Sequence, residues 1–114
     1  MLYVLNSFSV NLITKLIDEM TEVHLVFREI DENEVKELLR ENDYISAIGH
    51  EGMSSFLSQR LNVEIPFNRV FVSLNKEDSA IVAQLVGSRL PEGSILSREE
   101  LEKIGVKFYL VKVA

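Results

Sequence analysis

Three short apolar runs, residues 2–5, 80–86 and 106–113, constrain this chain more than any other feature. Their length and composition read as strands. Leu2-Tyr3-Val4-Leu5 is apolar throughout, as a buried central strand is. The last run is apolar and β-branched enough to close the fold as a well-buried strand. Strands that are apolar on both faces need helices on two sides of their sheet. The fold class that follows is α/β: one domain over residues 1–114, a mixed sheet flanked by helices.

The intervening segments supply the helices. Leu12, Ile13, Leu16 and Ile17 recur at helical spacing within residues 11–17. Residues 22–30 alternate, with Val23, Leu25 and Phe27 on one side and Glu22, His24 and Arg28 on the other, which predicts a half-exposed strand. Asp31 and Glu34 form a capping box before a helix whose inner stripe is Val35, Leu38 and Leu39. Residues 44–48 lead into Gly49-His50-Glu51-Gly52 and a further helix with Met53, Phe56, Leu57 and Leu61 inward. Residues 69–74 and 80–86 read as two strands around the turn Asn75-Lys76-Glu77-Asp78. Pro91-Glu92-Gly93 is a turn, and Ser97 with Glu100 opens a short helix ending near Gly105.

Composition limits the chemistry. Of 114 residues, 46% are apolar, enough for a real core, and the formal charge is −6. That charge disfavours general nucleic-acid binding, which needs a broad basic face. Neither DNA nor a membrane is an expected partner. A small anion held by a few local arginines stays possible, because screening confines charge effects to roughly 8 Å at physiological salt. No cysteine is present, so thiolate metal sites, disulfides and cysteine nucleophiles are excluded. The two histidines do not make a histidine-rich metal site, and no metal or cofactor is expected. No apolar run of about 18 residues and no leader pattern is seen, which makes the cytoplasm the expected compartment. A chain this short exposes much of its surface, so a homodimer sharing core or pocket would be unsurprising.

Three segments carry candidate chemistry. In Ile48-Gly49-His50, the glycine permits close approach of backbone or ligand, and the imidazole at a loop–helix junction can protonate a leaving oxygen. The plain reading is a helix-start histidine without further role. In Arg89-Leu90-Pro91-Glu92-Gly93, a type I turn presents Glu92 just beyond Arg89. The guanidinium can bind phosphoryl oxygens, and the carboxylate can take a hydroxyl proton or orient the histidine. A solvated ion pair on a surface turn accounts for the same spacing. In Asn6-Ser7-Phe8-Ser9-Val10-Asn11, Ser9 and Asn11 offer neutral hydrogen-bonding groups where a strand meets a helix, or Ser9 is simply a cap. Arg69, after Pro66-Phe67-Asn68, reaches either a pocket or solvent. His24 reads as exposed, and the acidic stretch 31–41 as a solvated helix face.

Taken in order, Asn6-Ser7-Phe8-Ser9-Val10-Asn11, Ile48-Gly49-His50, Asn68-Arg69-Val70 and Arg89-Leu90 with Glu92-Gly93 resemble the viral ring nuclease family. These are small type III anti-CRISPR proteins of archaeal viruses, with cellular relatives in bacteria and archaea. The resemblance spans nearly the whole chain and is loosest between Met20 and Ile45. It implies a homodimer that binds cyclic tetraadenylate across its interface and cuts it without a metal. It implies His50 as general acid, Glu92 as base or positioning group, Arg89 as the phosphate-binding residue, and Asn6, Ser9, Asn11 and Arg69 as ligand contacts. The viral members carry an acidic residue where this chain has Pro91, which stiffens the turn without touching the implied chemistry. Two other functions compete: a non-catalytic binder of the same ring, needing the pocket but not His50, and an interaction protein acting through the acidic helix.

Overall fold

A computed structural model describes residues 1–86 and 103–114. Strand β1 (Leu2–Leu5) leads through a 3-10 turn (Val10–Leu12) into α1 (Thr14–Met20). Then come β2 (Leu25–Ile30), α2 (Glu32–Glu41), β3 (Tyr44–Ser46), α3 (Glu51–Leu61), β4 (Ser79–Val86) and β5 (Gly105–Val113). The five strands form one mixed sheet in the order β2-β5-β4-β1-β3. β1 runs parallel to both β3 and β4, and β5 runs antiparallel to β4 and β2.

Alternating side chains send each interior strand into two cores. On one face, Leu2, Val4, Ile81, Ala83, Phe108 and Leu110 pack with Val35 and Leu39 of α2 and with Met53, Phe56, Leu57 and Leu61 of α3. On the other, Leu5, Ala80, Val82 and Val111 pack with Leu12, Ile13 and Ile17. Both faces are therefore dry, as the apolar runs require.

Residues 69–74 depart from the expected strand. They form no ladder; instead an extended stretch crosses the second face and buries Val72 and Leu74 against Leu5, Leu12 and Val82. Its alternation is genuine, but it comes from covering the sheet rather than joining it. The hairpin around residues 75–78 is therefore absent, and β4 pairs with β1 and β5. The turn itself forms: the Asp78 backbone N–H donates to the Asn75 carbonyl at 3.0 Å, and the Asp78 carboxylate accepts from the Asn75 N–H at 2.8 Å.

Two other boundaries shift. The helix expected from residue 11 begins as the 3-10 turn and becomes α-helical only at Thr14. β2 starts at Leu25 rather than at residue 22, and Phe27 lies largely exposed on this edge strand, stacked edge-on to Phe8 at 5.3 Å. Half of the first capping box forms: the Asp31 carboxylate accepts from the Glu34 N–H at 2.8 Å. Glu34 itself turns to Arg28, at 3.1 Å, rather than back to the cap. Glu32 pairs with Arg60 of α3 at 2.6 Å, and Arg60 also donates to the Ile104 carbonyl. These acids thus tie α2 to its neighbours instead of forming a wholly solvated face. The turn at residues 91–93 and the helix expected after residue 97 lie outside the described residues.

Candidate functional site

The neighbouring parallel strands β1 and β3 leave the sheet toward opposite faces. β1 continues into the 3-10 turn and α1 on one side, and β3 continues into α3 on the other. Where two such connections diverge, a crevice opens beyond the carboxyl ends of the strands. Here it is a cavity of about 190 Å³. Asn6, Ser7, Ser9 and Asn11 line it from the β1 side, Ala47 from the β3 side, and Val70, Phe71 and Val72 from the covering segment. Three of the expected ligand contacts, Asn6, Ser9 and Asn11, thus share one wall. Ser9 makes no side-chain cap to the 3-10 turn; only its carbonyl is used, by the Leu12 N–H at 3.1 Å. Its hydroxyl is not committed to the capping role that would have explained it.

Gly49, His50 and Arg69 follow or precede the lining residues Ala47 and Val70 in the chain. The covering segment is fastened beside β3 by a set of hydrogen bonds. Buried Ser46 donates its hydroxyl to the Pro66 carbonyl at 2.6 Å. Asn68 donates its side-chain amide to the Ser46 carbonyl at 2.7 Å and its backbone N–H to the Ile48 carbonyl at 2.9 Å. Ile48 and Phe67 form an isolated parallel bridge. This brings exposed Arg69 against the Gly49 carbonyl, 3.3 Å away. The flank of Gly49 that a side chain would occupy faces the Arg69 side chain at ordinary contact distance, 3.7 Å.

His50 is half-buried and is the N-cap of α3. Its extended backbone (φ −132°, ψ 118°) turns the ring back over the first turn, where Nδ1 accepts the Met53 N–H at 3.0 Å. An N-cap side chain normally uses an oxygen for this bond, satisfying one of the four orphan donors of the helix. With Nδ1 as acceptor, the neutral ring carries its proton on Nε2. The plain reading of His50 as a helix-start residue is therefore correct as far as it goes, and the same bond fixes the ring's tautomer.

Arg89 and Glu92 lie outside the described residues. Among the described residues no three His, Asp or Glu side chains are grouped to hold a metal ion, and no helix is long and apolar enough to cross a membrane. His24 is exposed and pairs only with neighbouring Glu22, at 2.7 Å. Sequence reasoning missed the fastening role of Ser46 at the end of β3, met Asn68 only as part of Asn68-Arg69-Val70, and absorbed Phe71 into a supposed strand.

The profile of the STIV B116-like family matches residues 2–109. The chain belongs to that family. It is the viral ring nuclease family that the motifs around Asn6, His50, Arg69 and Arg89 resemble. Uncharacterized protein 26 of Sulfolobus islandicus filamentous virus is 36% identical over 114 residues, covering 99% of this chain and 92% of the relative. ORF117 of Acidianus two-tailed virus is 34% identical, covering 97% and 92%. The likeness extends to a bacterium: YddF of Bacillus subtilis is 37% identical over 81 residues, covering 69% and 74%. The solved structure of B116 from Sulfolobus turreted icosahedral virus superposes with a TM-score of 0.76 at 26% identity, covering 97% of both chains. The mixed sheet with helices on both faces is thus a family architecture.

Proposed function

We propose that this protein is a metal-independent ring nuclease. It would bind cyclic tetraadenylate across a homodimer interface and cut it to linear oligoadenylates with 2′,3′-cyclic phosphate ends, switching off type III CRISPR signalling. The observation that carries the reading is the crevice at the divergence of β1 and β3. Asn6, Ser9 and Asn11 line it together with Ala47 and Val70, and the two chain segments that supply Ala47 and Val70 also carry His50 and Arg69, with Arg69 bonded to the Gly49 carbonyl. These are the segments that carry the resemblance to ring nucleases.

The reaction needs no external nucleophile. A ribose 2′-oxygen attacks the adjacent phosphorus, the bond to the 5′-oxygen breaks, and that oxygen takes up a proton. Holding the 2′-oxygen in line with the departing oxygen is worth about 7–11 kcal/mol in favourable cases. His50 supplies the proton, a contribution of about 10²–10⁴-fold. Arg89 and Arg69 offset charge on the phosphoryl oxygens, and Glu92 accepts the 2′-hydroxyl proton or orients the imidazole. In a dimer each of these residues is present twice, which concentrates positive charge locally on a chain of net charge −6.

The cap on α3 adds a condition. An imidazolium carries protons on both nitrogens, so its Nδ1 no longer accepts from Met53. His50 can act as a cationic acid only after releasing that N–H, and a phosphate bound at Arg69 supplies the compensating charge. The cavity itself does not include His50, so a non-catalytic binder of the same ring is the second reading.

Radiolabelled cyclic tetraadenylate incubated with the protein in EDTA separates the two. The proposal expects linear products, abolished by His50→Ala and by Arg89→Ala, with binding retained in the histidine variant. An intact ring after long incubation with wild-type protein would leave only the binder.

A further inference from the structure

Among the described residues, no lysine, arginine or histidine lines the cavity beyond β1. Its polar groups are amides and hydroxyls, and its far wall is Val70, Phe71 and Val72. Phe71 is 79% exposed, the most exposed of the large apolar side chains among the described residues, and it stands on the cavity's rim. Val72, the next residue, is buried in the core, so the backbone that presents Phe71 is anchored. A single exposed phenylalanine needs no explanation. One held at the mouth of a neutral, amide-lined cavity has a chemistry of its own.

We propose that Phe71 is a stacking platform for an adenine base, and that this cavity is a base subsite rather than a phosphate subsite. The inference rests on the ring-nuclease reading for its ligand. Among the described residues, the polar side chains that line the cavity are the neutral groups of Asn6, Ser7, Ser9 and Asn11, while cationic Arg69, the chain neighbour of the lining residue Val70, lies outside the lining and donates to the Gly49 carbonyl. A polyanion would place base at the first and phosphate at the second. Asparagine amides match the donor–acceptor pair that adenine presents at N6 and N7. Aromatic rings exposed beside such groups stack bases. The volume suits the assignment, since an apolar cavity of about 150 Å³ accepts benzene and this one, at about 190 Å³, is open at its mouth to a larger ring. Phe71 thereby becomes a binding residue that selects for the base without touching the scissile bond.

The chain contains no tryptophan, so Phe71→Trp places a sole indole reporter at the site. Titration of that variant with cyclic tetraadenylate is expected to quench its emission, and an emission unchanged at saturating ligand would overturn the assignment. Phe71→Ala is expected to weaken binding by about 5- to 150-fold, the range for loss of one base stack. Phe71→Leu, which keeps apolar bulk but no aromatic face, should weaken it too. The loss should appear in KM, with single-turnover cleavage at saturating ligand within about threefold of wild type. If wild-type protein binds and cuts the ring while Phe71→Ala binds equally well, the base subsite is wrong and the proposed function stands. If wild-type protein neither binds nor cuts, the proposed function itself fails and takes the subsite with it. Light scattering on the same variants supplies the third arm: a fall in mass for Phe71→Ala would make this ring an interface residue and overturn the assignment.

Discussion

His50 caps α3 through Nδ1, and that bond makes a stability prediction independent of catalysis. His50→Ala removes the acceptor and leaves the Met53 N–H without its partner at the start of a helix that delivers Met53, Phe56, Leu57 and Leu61 to the core. Loss of a side-chain N-cap costs about 1 kcal/mol, with a range of about 0.5–2. At about 2.1 cal/mol/K per residue, a domain of this length has an unfolding entropy of about 240 cal/mol/K. One kcal/mol therefore lowers the melting temperature by about 4 °C. His50→Asn replaces Nδ1 with Oδ1 at nearly the same position and should recover most of that loss. Both variants should be inactive, because neither offers an imidazole. Thermal unfolding followed by circular dichroism at fixed protein concentration, beside the EDTA cleavage assay, reads both effects. If His50→Asn melts as low as His50→Ala, the Met53 contact is not what stabilises the helix start. If both melt with the wild type, the cap contributes nothing. If His50→Asn still cuts the ring, the catalytic role of the imidazole is refuted while the cap survives.

Two further outcomes follow from the contacts around Arg69. Ser46→Ala removes the hydroxyl that holds the Pro66 carbonyl beside β3; loss of one such hydrogen bond costs about 0.5–1.5 kcal/mol. Chemical denaturation should show that loss, and ring binding should weaken as Arg69 loses its anchorage, whereas unchanged binding would free Arg69 from this role. Gly49→Ala meets only ordinary contacts with the Arg69 side chain, so the melting temperature should stay within about 2 °C. A loss of ring affinity in that stable variant would show that ligand approaches the Gly49 backbone, and a destabilised variant would contradict the packing described.

The two-sided burial of β1 and β4 was legible because an apolar run too short to be a helix leaves one solution. The N-cap at Asp31 was legible because it is local, with donor and acceptor three residues apart. Residues 69–74 were not. An extended chain shows one side chain in two to the core whether it pairs in a ladder or merely lies over the sheet, so Val72 and Leu74 carry the same signal in both cases. What distinguished them was Phe71, an aromatic on the outward phase, where a surface strand would carry polar groups. The site was legible in pieces. Asn6, Ser9 and Asn11 are close in sequence and meet in one wall. Arg69 reaches Gly49 only because Ser46 and Asn68 fasten segments about 20 residues apart, and nothing in the sequence marks those long-range bonds. The cap at His50 was hidden for another reason: histidine is not among the residues preferred there.

The most direct measurement is a crystal structure with a cyclic tetraadenylate whose scissile position carries a 2′-deoxyribose, which removes the attacking oxygen and leaves the ring intact. Nε2 of His50 should stand about 3 Å from a 5′-oxygen, with Arg69 on the adjoining phosphate and Asn6, Ser9 and Asn11 against the ligand. A ring seated away from the divergence of β1 and β3, or one whose phosphates all lie beyond reach of His50, would contradict the account.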